Sequence, residues 1–230
     1  MKVLIPILQK TEALIRKIKI RLQRSSSNQF NEVERWYRDD PHNLKRTDFD
    51  FLTSDSIVFD LGGYEGEWAS NIYARYNCNV HVFEPVSLYA DIIKKRFSRN
   101  YKIKVYPLGL AGSDSEATIT IDKFSSRLTE NGNSSMATEK IQLRSFNDFI
   151  REKGIEKIDL LKINIEGAEF PLLEKLAETG TLHKIKALLI QFHDFAENAI
   201  QRRKSIQEAL SKTHTKLFDY EFVWECWIIK

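Results

Sequence analysis

The chain has 230 residues, 42% of them hydrophobic, a formal net charge of +3 and two cysteines that lie far apart, Cys78 and Cys226. This is enough apolar material for one good-sized domain plus a small extension, and the cysteines form no metal-type cluster, so we expect both to be reduced, as in a cytoplasmic protein. No segment has the roughly 20 continuous apolar residues of a membrane span, and the N-terminus lacks the small-residue cleavage site of a secretory signal.

The positive charge is concentrated near the N-terminus. Residues 1–24 hold seven of the 35 Lys and Arg residues and one of the 32 acidic residues, so this leader carries +6 and the remainder of the chain −3. A weakly acidic body does not favour general nucleic-acid binding, and we expect no nucleic-acid partner.

Residues 1–29 are predicted to form a basic amphipathic helix that ends in a Ser-rich hinge, ahead of a main domain at residues 30–230. Apolar residues recur at helical spacing before the hinge, namely Leu4, Leu8, Ile15, Ile18 and Leu22. The helix has three alternative partners: an anionic membrane surface, another helix, or its own domain. Because each basic residue adds about 1 kcal/mol at most at such a surface, residues 1–24 would give peripheral contact with the inner face of a membrane and no permanent anchoring.

The first strand of the main domain leads into a glycine-rich turn. Residues 56–66 read SIVFDLGGYEG, and a helical pattern follows at about residues 65–76. Glycine allows the backbone to approach a ligand closely, and the first turn of a helix offers free N–H groups. The turn therefore predicts a nucleotide-type pocket bordered by Gly62, Gly63, Tyr64 and Gly66.

A second strand, at residues 79–84, ends in Glu84 and Pro85, about 18 residues after the turn. A carboxylate at that place can accept hydrogen bonds from both hydroxyls of a ribose. The glycine turn and the acid together indicate a cofactor that contains a nucleoside, and they carry far more weight than either feature alone.

The spacing of the turn indicates which nucleoside. Nicotinamide-binding turns read G-x-G-x-x-G, whereas here Tyr64 stands where the middle glycine belongs and the segment reads D-x-G-x-x-x-G, led by Asp60. An acid in that place suits S-adenosylmethionine, whose amino-acid end carries an ammonium and which has no pyrophosphate. The alternatives are an ordinary strand–turn–helix unit and a nicotinamide enzyme, although no tyrosine here has the lysine four residues later that short-chain dehydrogenases need.

The rest of the main domain alternates apolar runs with helical patterns. Further strands are predicted at residues 101–108, 157–163 and 185–192. Further helices are predicted at residues 87–98, 145–153, 168–177 and 196–211. Because strands that are buried on both faces read as apolar runs, this alternation predicts an α/β fold, with a mostly parallel sheet and helices on both of its faces.

Three features interrupt or follow this alternation. Short extra strands are expected at residues 117–121 and 140–143. The polar tract between them, residues 123–138, is predicted to be a mobile lid. Two β-like runs in residues 215–230 predict a C-terminal β-hairpin at the edge of the sheet.

Open parallel sheets bind ligands beyond the carboxyl ends of their strands. Four polar side chains, Lys162, Asn164, Glu166 and Glu169, lie at the end of the fourth main strand, and His193 follows the fifth. A row of polar side chains is costly to bury unless each is paired, which favours a functional role. The alternatives are a salt bridge that closes the strand end, a structural histidine, and a cation held by Asn164, Glu166 and His193.

These segments together resemble the FkbM family of S-adenosylmethionine-dependent methyltransferases, over about residues 36–193. The matching pieces are residues 58–66, 82–85, 109–111, 125–126, 143–150 and 159–169. The resemblance implies a Rossmann-like class I methyltransferase fold and O-methylation, often of sugars in surface glycans or natural products. The chain departs from the family pattern at Asn164, where aspartate is usual, and a neutral amide cannot act as a base.

The resemblance and the residue pattern assign roles to the candidate residues. Those expected to hold S-adenosylmethionine are Asp60, Gly62, Gly63, Tyr64, Gly66, Glu84, Pro85 and Asn164, with Gly109, Leu110 and Ala111 beside its adenine. A sugar hydroxyl is a poor nucleophile until its proton leaves, and a placed base typically adds a factor of ~10²–10⁴. His193 is the first candidate for this base and Glu166 the second, with Asn164 facing the acceptor. No metal is predicted.

We therefore expect an O-methyltransferase that acts on a hydroxyl of a sugar, in a bacterial surface glycan or a glycolipid precursor. One alternative is a cofactor-binding module without turnover, which would be consistent with Asn164. Another is a methyltransferase for a natural-product or peptide acceptor. A DNA amino-methyltransferase is disfavoured, because no Asn/Asp-Pro-Pro-aromatic segment follows the fourth main strand.

Overall fold

A computed structural model describes residues 28–121, 126–128 and 138–230 of the chain. The predicted basic helix at residues 1–24 and most of the predicted lid at residues 123–138 lie outside the described residues. Within the described part, no helix combines the length and the apolarity that crossing a membrane would require.

The described residues form helices and strands in alternation. The helices are α1 (Asn28–Asp39), α2 (Glu67–Tyr76), α3 (Ser87–Arg96), α4 (Phe146–Glu152), α5 (Glu169–Glu178) and α6 (Ala199–Leu210). The strands are β1 (Ile57–Leu61), β2 (Asn79–Phe83), β3 (Ile103–Tyr106), β4 (Gly109–Ala111), β5 (Ser115–Ile121), β6 (Ser126–Leu128), β7 (Thr138–Ser145), β8 (Ile158–Ile163), β9 (Ile185–Ile190), β10 (His214–Tyr220) and β11 (Trp224–Ile229).

Seven of these strands form the main sheet, in the order β10-β11-β9-β8-β1-β2-β3. The pairs among β1, β2, β3, β8 and β9 are parallel, whereas β11 runs antiparallel to both β9 and β10. The predicted parallel sheet and the predicted C-terminal hairpin are therefore confirmed. Of the two hairpin strands only β10 lies at an edge of the sheet, because β11 is inserted between β10 and β9.

Helices cover both faces of the main sheet, as predicted. Successive residues of β8 point to opposite faces, so that Leu161 packs in one core cluster with α4, α5 and α6, and Leu160 packs in a second cluster with α1, α2 and α3. Both leucines are fully buried. This double burial is the reason why the central strands read as uninterrupted apolar runs.

A second sheet, in the order β4-β7-β5-β6, stands beside the carboxyl end of β2. The two predicted extra strands correspond to β5 and β7, which are longer than expected. Ile119 of β5 and Ile141 of β7 pack against Val86 and Tyr89 at the start of α3. These contacts hold the second sheet over the edge at which the main parallel strands end.

Helix α1 was not predicted, and its first two residues had been assigned to the hinge. The sequence around it is rich in polar residues, but Phe30, Val33 and Trp36 recur at helical spacing and could have indicated it. Trp36 adds tertiary stabilisation, because it is almost fully buried and its ring meets Tyr220 edge-on, with centroids 5.1 Å apart. The Tyr220 hydroxyl also donates a hydrogen bond to Asp39, over 3.1 Å. Tertiary packing of this amphipathic face onto β10 therefore stabilises the helix.

Candidate active site

A cavity of about 410 Å³ lies between the second sheet and the carboxyl ends of β1, β2 and β8. Its volume falls within the range of small-molecule binding sites. Of the predicted donor-binding residues, eight line it, namely Gly62, Tyr64, Glu84, Pro85, Gly109, Leu110, Ala111 and Asn164. The candidate catalytic residue Glu166 also lines it, whereas Asp60, Gly63, Gly66 and His193 do not.

The turn after β1 crosses the end of β8 at very short range. Gly62 has a φ of +81°, and a Cβ atom placed on it would lie 1.9 Å from the backbone oxygen of Asn164. The Asn164 N–H donates to the Leu61 carbonyl, over 3.1 Å, and so continues the pairing of β1 with β8 past their last paired residues. Position 62 therefore requires glycine both for its left-handed conformation and for space.

Asp60 is buried behind this turn and forms an ion pair with Lys162. The Lys162 ammonium donates to the Asp60 carboxylate over 2.8 Å, and to the carbonyls of Leu61 and Gly62 over 3.3 and 2.8 Å. Burial raises the pKa of Asp60, and the ammonium opposes that rise. The pair thus stabilises the start of the turn. A salt bridge at this strand end was one of the alternative explanations for its polar residues, and the structure contains it.

Glu84 closes β2 and faces the cavity from beneath the turn. Its two carboxylate oxygens accept hydrogen bonds from the N–H groups of Tyr64 and Val86, each over 2.9 Å. Burial raises the pKa of Glu84 to about 7, although both N–H groups favour the charged form. Each oxygen keeps a second lone pair, so the ionised carboxylate can still accept hydrogen bonds from a ligand.

The other wall of the cavity is apolar. It is formed by side chains of the second sheet, which are Leu110, Ile119, Ile141 and Leu143. The sequence predicts Leu110 in this wall but does not predict the other three. Their apolar alternation in β5 and β7 was visible, but the position of the second sheet over the cavity depends on tertiary packing.

Two polar residues after β8 line the same cavity. The Asn164 side-chain oxygen is buried and has no hydrogen-bond partner within the described part of the chain. Glu166 has a φ of +53°, which is uncommon for a residue with a side chain, and Gly167 follows with a φ of +99°. Such backbone conformations are retained only where the surroundings enforce them, and they are frequent at functional sites.

His193 lies just beyond the cavity wall, after β9. Its Nδ1 atom is 3.0 Å from a carboxylate oxygen of Glu169, and its Nε2 atom is 3.7 Å from a carboxylate oxygen of Glu166. The imidazole side chain is 13% exposed, and its ring packs at a tilt on Phe195. The structure therefore brings His193 and Glu166 together, beside Asn164.

The cavity residues fit S-adenosylmethionine. The Glu84 carboxylate has lone pairs for two ribose hydroxyls, and the apolar wall of the second sheet suits a flat purine. The unpartnered oxygen of Asn164 can accept a hydrogen bond from the ammonium of the amino-acid end. Asp60 carries a second buried oxygen without a hydrogen-bond partner among the described residues, but this oxygen lies behind the cavity lining.

The order of the main sheet, its antiparallel C-terminal pair and the position of the cavity over β1 and β2 define a Rossmann-like class I methyltransferase fold. A profile of the FkbM methyltransferase domain matches residues 60–223. Because this match covers most of the chain, the chain belongs to the FkbM methyltransferase family. It carries a methyltransferase domain, and its cavity residues fit S-adenosylmethionine as the methyl donor.

Comparison with individual proteins gives more distant similarities. The chain is 24% identical, over 207 residues, to the AMB antimetabolite synthetase AmbE of Pseudomonas aeruginosa. This similarity covers 71% of the chain and 10% of AmbE, so the chain spans about a tenth of the length of that relative.

Two solved structures are among those that the chain matches. An rRNA methylase from Streptococcus thermophilus has a TM-score of 0.47 and 12% identity, over 82% of this chain and 93% of that chain. TrmK of M. capricolum, in complex with S-adenosyl-homocysteine, has a TM-score of 0.42 and 14% identity, over 78% of this chain and 62% of that chain. Neither similarity assigns an acceptor to the present chain.

Proposed function

We propose that this methyltransferase transfers the methyl group to a hydroxyl of a sugar, in a bacterial surface glycan or a glycolipid precursor. The observation that supports O-methylation is the position of the His193 imidazole at the edge of the cavity. The Glu169 carboxylate holds one nitrogen of the ring, and the other nitrogen lies outside hydrogen-bond range of Glu166. A hydroxyl needs such a proton acceptor. The choice of a sugar rests on the resemblance to FkbM enzymes.

The donor-binding roles follow from the cavity. We assign the ribose to Glu84, the adenine to the wall that contains Gly109, Leu110 and Ala111, and the amino-acid end to Asn164 and the turn at Gly62. When bound, the sulfonium donor supplies an activated methyl group. The protein then has to exclude water, align the acceptor oxygen and take its proton.

Each of two alternative functions is supported by a specific observation. A donor-binding module without turnover is consistent with the neutral amide of Asn164. A natural-product or peptide acceptor is favoured by the similarity to AmbE, an antimetabolite synthetase. The expectation that nucleic acid is not an acceptor, and the contact of residues 1–24 with a membrane, stay predictions.

Calorimetry followed by an acceptor screen tests the proposal. S-adenosylmethionine should bind to the purified chain, and its consumption should then be measured with sugars and lipid-linked glycans, small natural products, peptides and bulk RNA. Turnover with the sugar class alone supports the proposal. Turnover with another class would mean that the acceptor belongs to that class and is not a sugar. Tight donor binding without any turnover would favour the donor-binding module.

Donor binding should depend on Glu84 and on pH. Glu84→Ala is expected to weaken S-adenosylmethionine binding by about 1–3 kcal/mol, because the ribose hydroxyls lose their acceptor. Since the Glu84 pKa is about 7, and since the ionised form has the full set of acceptor lone pairs, wild-type affinity should rise between pH 6 and pH 8. Calorimetry at both pH values measures this change.

The Glu84→Ala variant provides the pH control, because its own pH dependence reports the titration of the donor alone. Glu65→Ala, at an exposed glutamate of the same turn, should bind the donor like the wild type. Equal affinities of Glu84→Ala and wild type at pH 8 would remove Glu84 from the donor site.

Turnover should depend on His193 while folding does not. In His193→Asn the amide nitrogen can replace Nδ1 as the donor to Glu169, whereas nothing replaces Nε2. We expect turnover to fall by a factor of ~10²–10⁴, the usual contribution of a placed base. Thermal stability and donor affinity should stay close to the wild-type values. If His193→Asn kept the wild-type turnover, His193 would not be the base, and Glu166 would become the first candidate.

A further inference from the structure

Glu169 is a carboxylate without any exposed surface, although it is the first residue of α5. Three N–H groups are placed to donate to it. The Gly167 N–H and the His193 backbone N–H each lie 2.8 Å from one of its oxygens, and His193 Nδ1 lies 3.0 Å away. Such a set of donors stabilises a buried carboxylate and restricts it to one orientation.

This arrangement dictates the position of the proton on the imidazole. The Glu169 oxygen that faces Nδ1 also accepts the backbone N–H of His193, and the oxygens of an ionised carboxylate can only accept, so Glu169 is the acceptor in this contact. Nδ1 must therefore carry the proton, and Nε2 of a neutral imidazole must carry the lone pair. Within the described ranges, the acidic oxygen nearest to Nε2 belongs to Glu166 and is 3.7 Å away, which is too far for a hydrogen bond.

We propose that Glu169 is a positioning residue that holds His193 in the Nδ1–H tautomer, with Nε2 aimed at the acceptor hydroxyl. This inference rests on the proposed O-methylation. Glu169 is buried and does not line the cavity. Its proposed role is the one that carboxylates have in hydrolases, where they orient a catalytic histidine. Among the described residues, Glu166 and Glu169 have carboxylate oxygens within 4.0 Å of the imidazole nitrogens, and Arg202 of α6 interacts electrostatically with Glu169.

The proton balance of the step is simple. The acceptor O–H gives its proton to Nε2, which produces an imidazolium whose Nδ1–H points at the Glu169 carboxylate. The oxygen forms its bond to the methyl carbon as the carbon–sulfur bond breaks, and the electron pair of that bond stays on sulfur. The imidazolium returns the proton to water after the methylated product has left.

The same contacts also have a structural consequence. Glu169 ties the loop at Gly167 to the end of β9, so a loss of activity in a Glu169 variant would not by itself distinguish positioning from folding. The tautomer of His193 does distinguish them. It can be measured in the unliganded protein, and the measurement does not depend on which acceptor is methylated.

The decisive experiment is a long-range ¹H–¹⁵N correlation spectrum of protein with ¹⁵N-labelled histidine, at pH 8. The His193 signals are those that disappear in His193→Asn. We expect a protonated Nδ1 and a bare Nε2. A proton on Nε2, or on both nitrogens, would overturn the proposal. Since the wild-type protein suffices, this result decides the matter even where a Glu169 variant does not fold and where the screen finds no acceptor.

Glu169→Gln adds a second measurement. Because an amide can both donate and accept, this variant should populate both tautomers of His193. With the acceptor that the screen identifies, kcat should fall at least about tenfold, a part of the ~10²–10⁴ contributed by a placed base. The donor dissociation constant should change less than about twofold, as expected for a residue that acts through a base outside the donor site.

Glu174→Gln is the matched control, because it lies on the same helix and pairs at the surface with Arg202. Its tautomer ratio and kcat should equal those of the wild type. A Glu169→Gln protein that keeps the pure Nδ1–H tautomer, or keeps wild-type kcat, would contradict the positioning role. Failure of the proposed function gives a different result. The screen would then find an acceptor of another class, while the spectrum would still show the Nδ1–H tautomer.

Discussion

Replacing Gly62 with alanine is expected to abolish measurable donor binding and to lower the free energy of unfolding by roughly 2–5 kcal/mol, from left-handed strain of about 1–2 and overpacking of about 1–3. The added Cβ would lie 1.9 Å from the backbone oxygen of Asn164. Backbone at the end of a paired strand cannot rotate away as a side chain can, so β1 and β8 must separate. Denaturant unfolding and calorimetry with S-adenosylmethionine measure the two effects.

Gly154→Ala isolates the conformational part of this penalty. Gly154 also has a positive φ, of +62°, but a Cβ added there meets no atom within 4 Å. This variant should lose only the left-handed strain, about 1–2 kcal/mol, and should bind the donor normally. If Gly62→Ala were no more destabilising than Gly154→Ala, the close approach of the two strand ends would not exist in solution.

The central sheet and the donor side of the cavity could be predicted from the sequence, because both have local signals. Each central strand is buried on both faces and reads as an apolar run, and the turn at Gly62 follows directly. The end of β2 at Glu84 is recognisable because a polar residue ends such a run. These features need only the order of residues within a short window.

The contacts that hold the site together could not be predicted, because they join distant segments. Lys162 was visible as a charge inside an apolar strand, yet its three partners lie about a hundred residues away. Glu169 was visible as an acid at a helix start, where an interaction with the helix dipole explains it without any partner. Only the structure shows that the Glu169 carboxylate faces the imidazole of His193.

The assignment of Asp60 to the donor ammonium shows the same limit. The sequence places an acid at the start of the turn, which is correct, but it does not show the lysine on the neighbouring strand. In the structure the Lys162 ammonium faces Asp60, and the carboxylate lies behind the cavity lining. We therefore assign the Asp60–Lys162 pair to the support of the turn. Direct contact of Asp60 with the donor stays a prediction.

The second large effect is expected for Lys162→Met, which should lower the free energy of unfolding at neutral pH by about 3–5 kcal/mol. Methionine fills a similar volume but leaves the fully buried Asp60 carboxylate without its counter-charge. It also removes the ammonium that donates to the Gly62 carbonyl and one of the two donors to the Leu61 carbonyl, so the turn should loosen and donor affinity should fall. Denaturant unfolding measures the first effect and calorimetry the second.

Two comparisons separate the ion pair from a general loss of packing. Lys157→Met, at an exposed lysine that pairs with Asp159, should have little effect because water already screens that pair. The double variant Asp60→Asn with Lys162→Met should recover part of the stability, since it removes the uncompensated charge. A double variant as unstable as Lys162→Met alone would mean that the lost packing, and not the isolated charge, is responsible.

The pH dependence of Lys162→Met provides a further test with a definite sign. Burial already raises the pKa of Asp60 in the presence of the ammonium, and removal of the ammonium takes away the interaction that opposes the rise. Between the unfolded pKa and the folded pKa, the folded state then binds more protons than the unfolded state. Its free energy of unfolding therefore falls as the pH rises through that interval. The deficit relative to wild type should thus be small in acid and should grow toward neutral pH, and a deficit that is independent of pH would show that Asp60 is not the group left uncompensated.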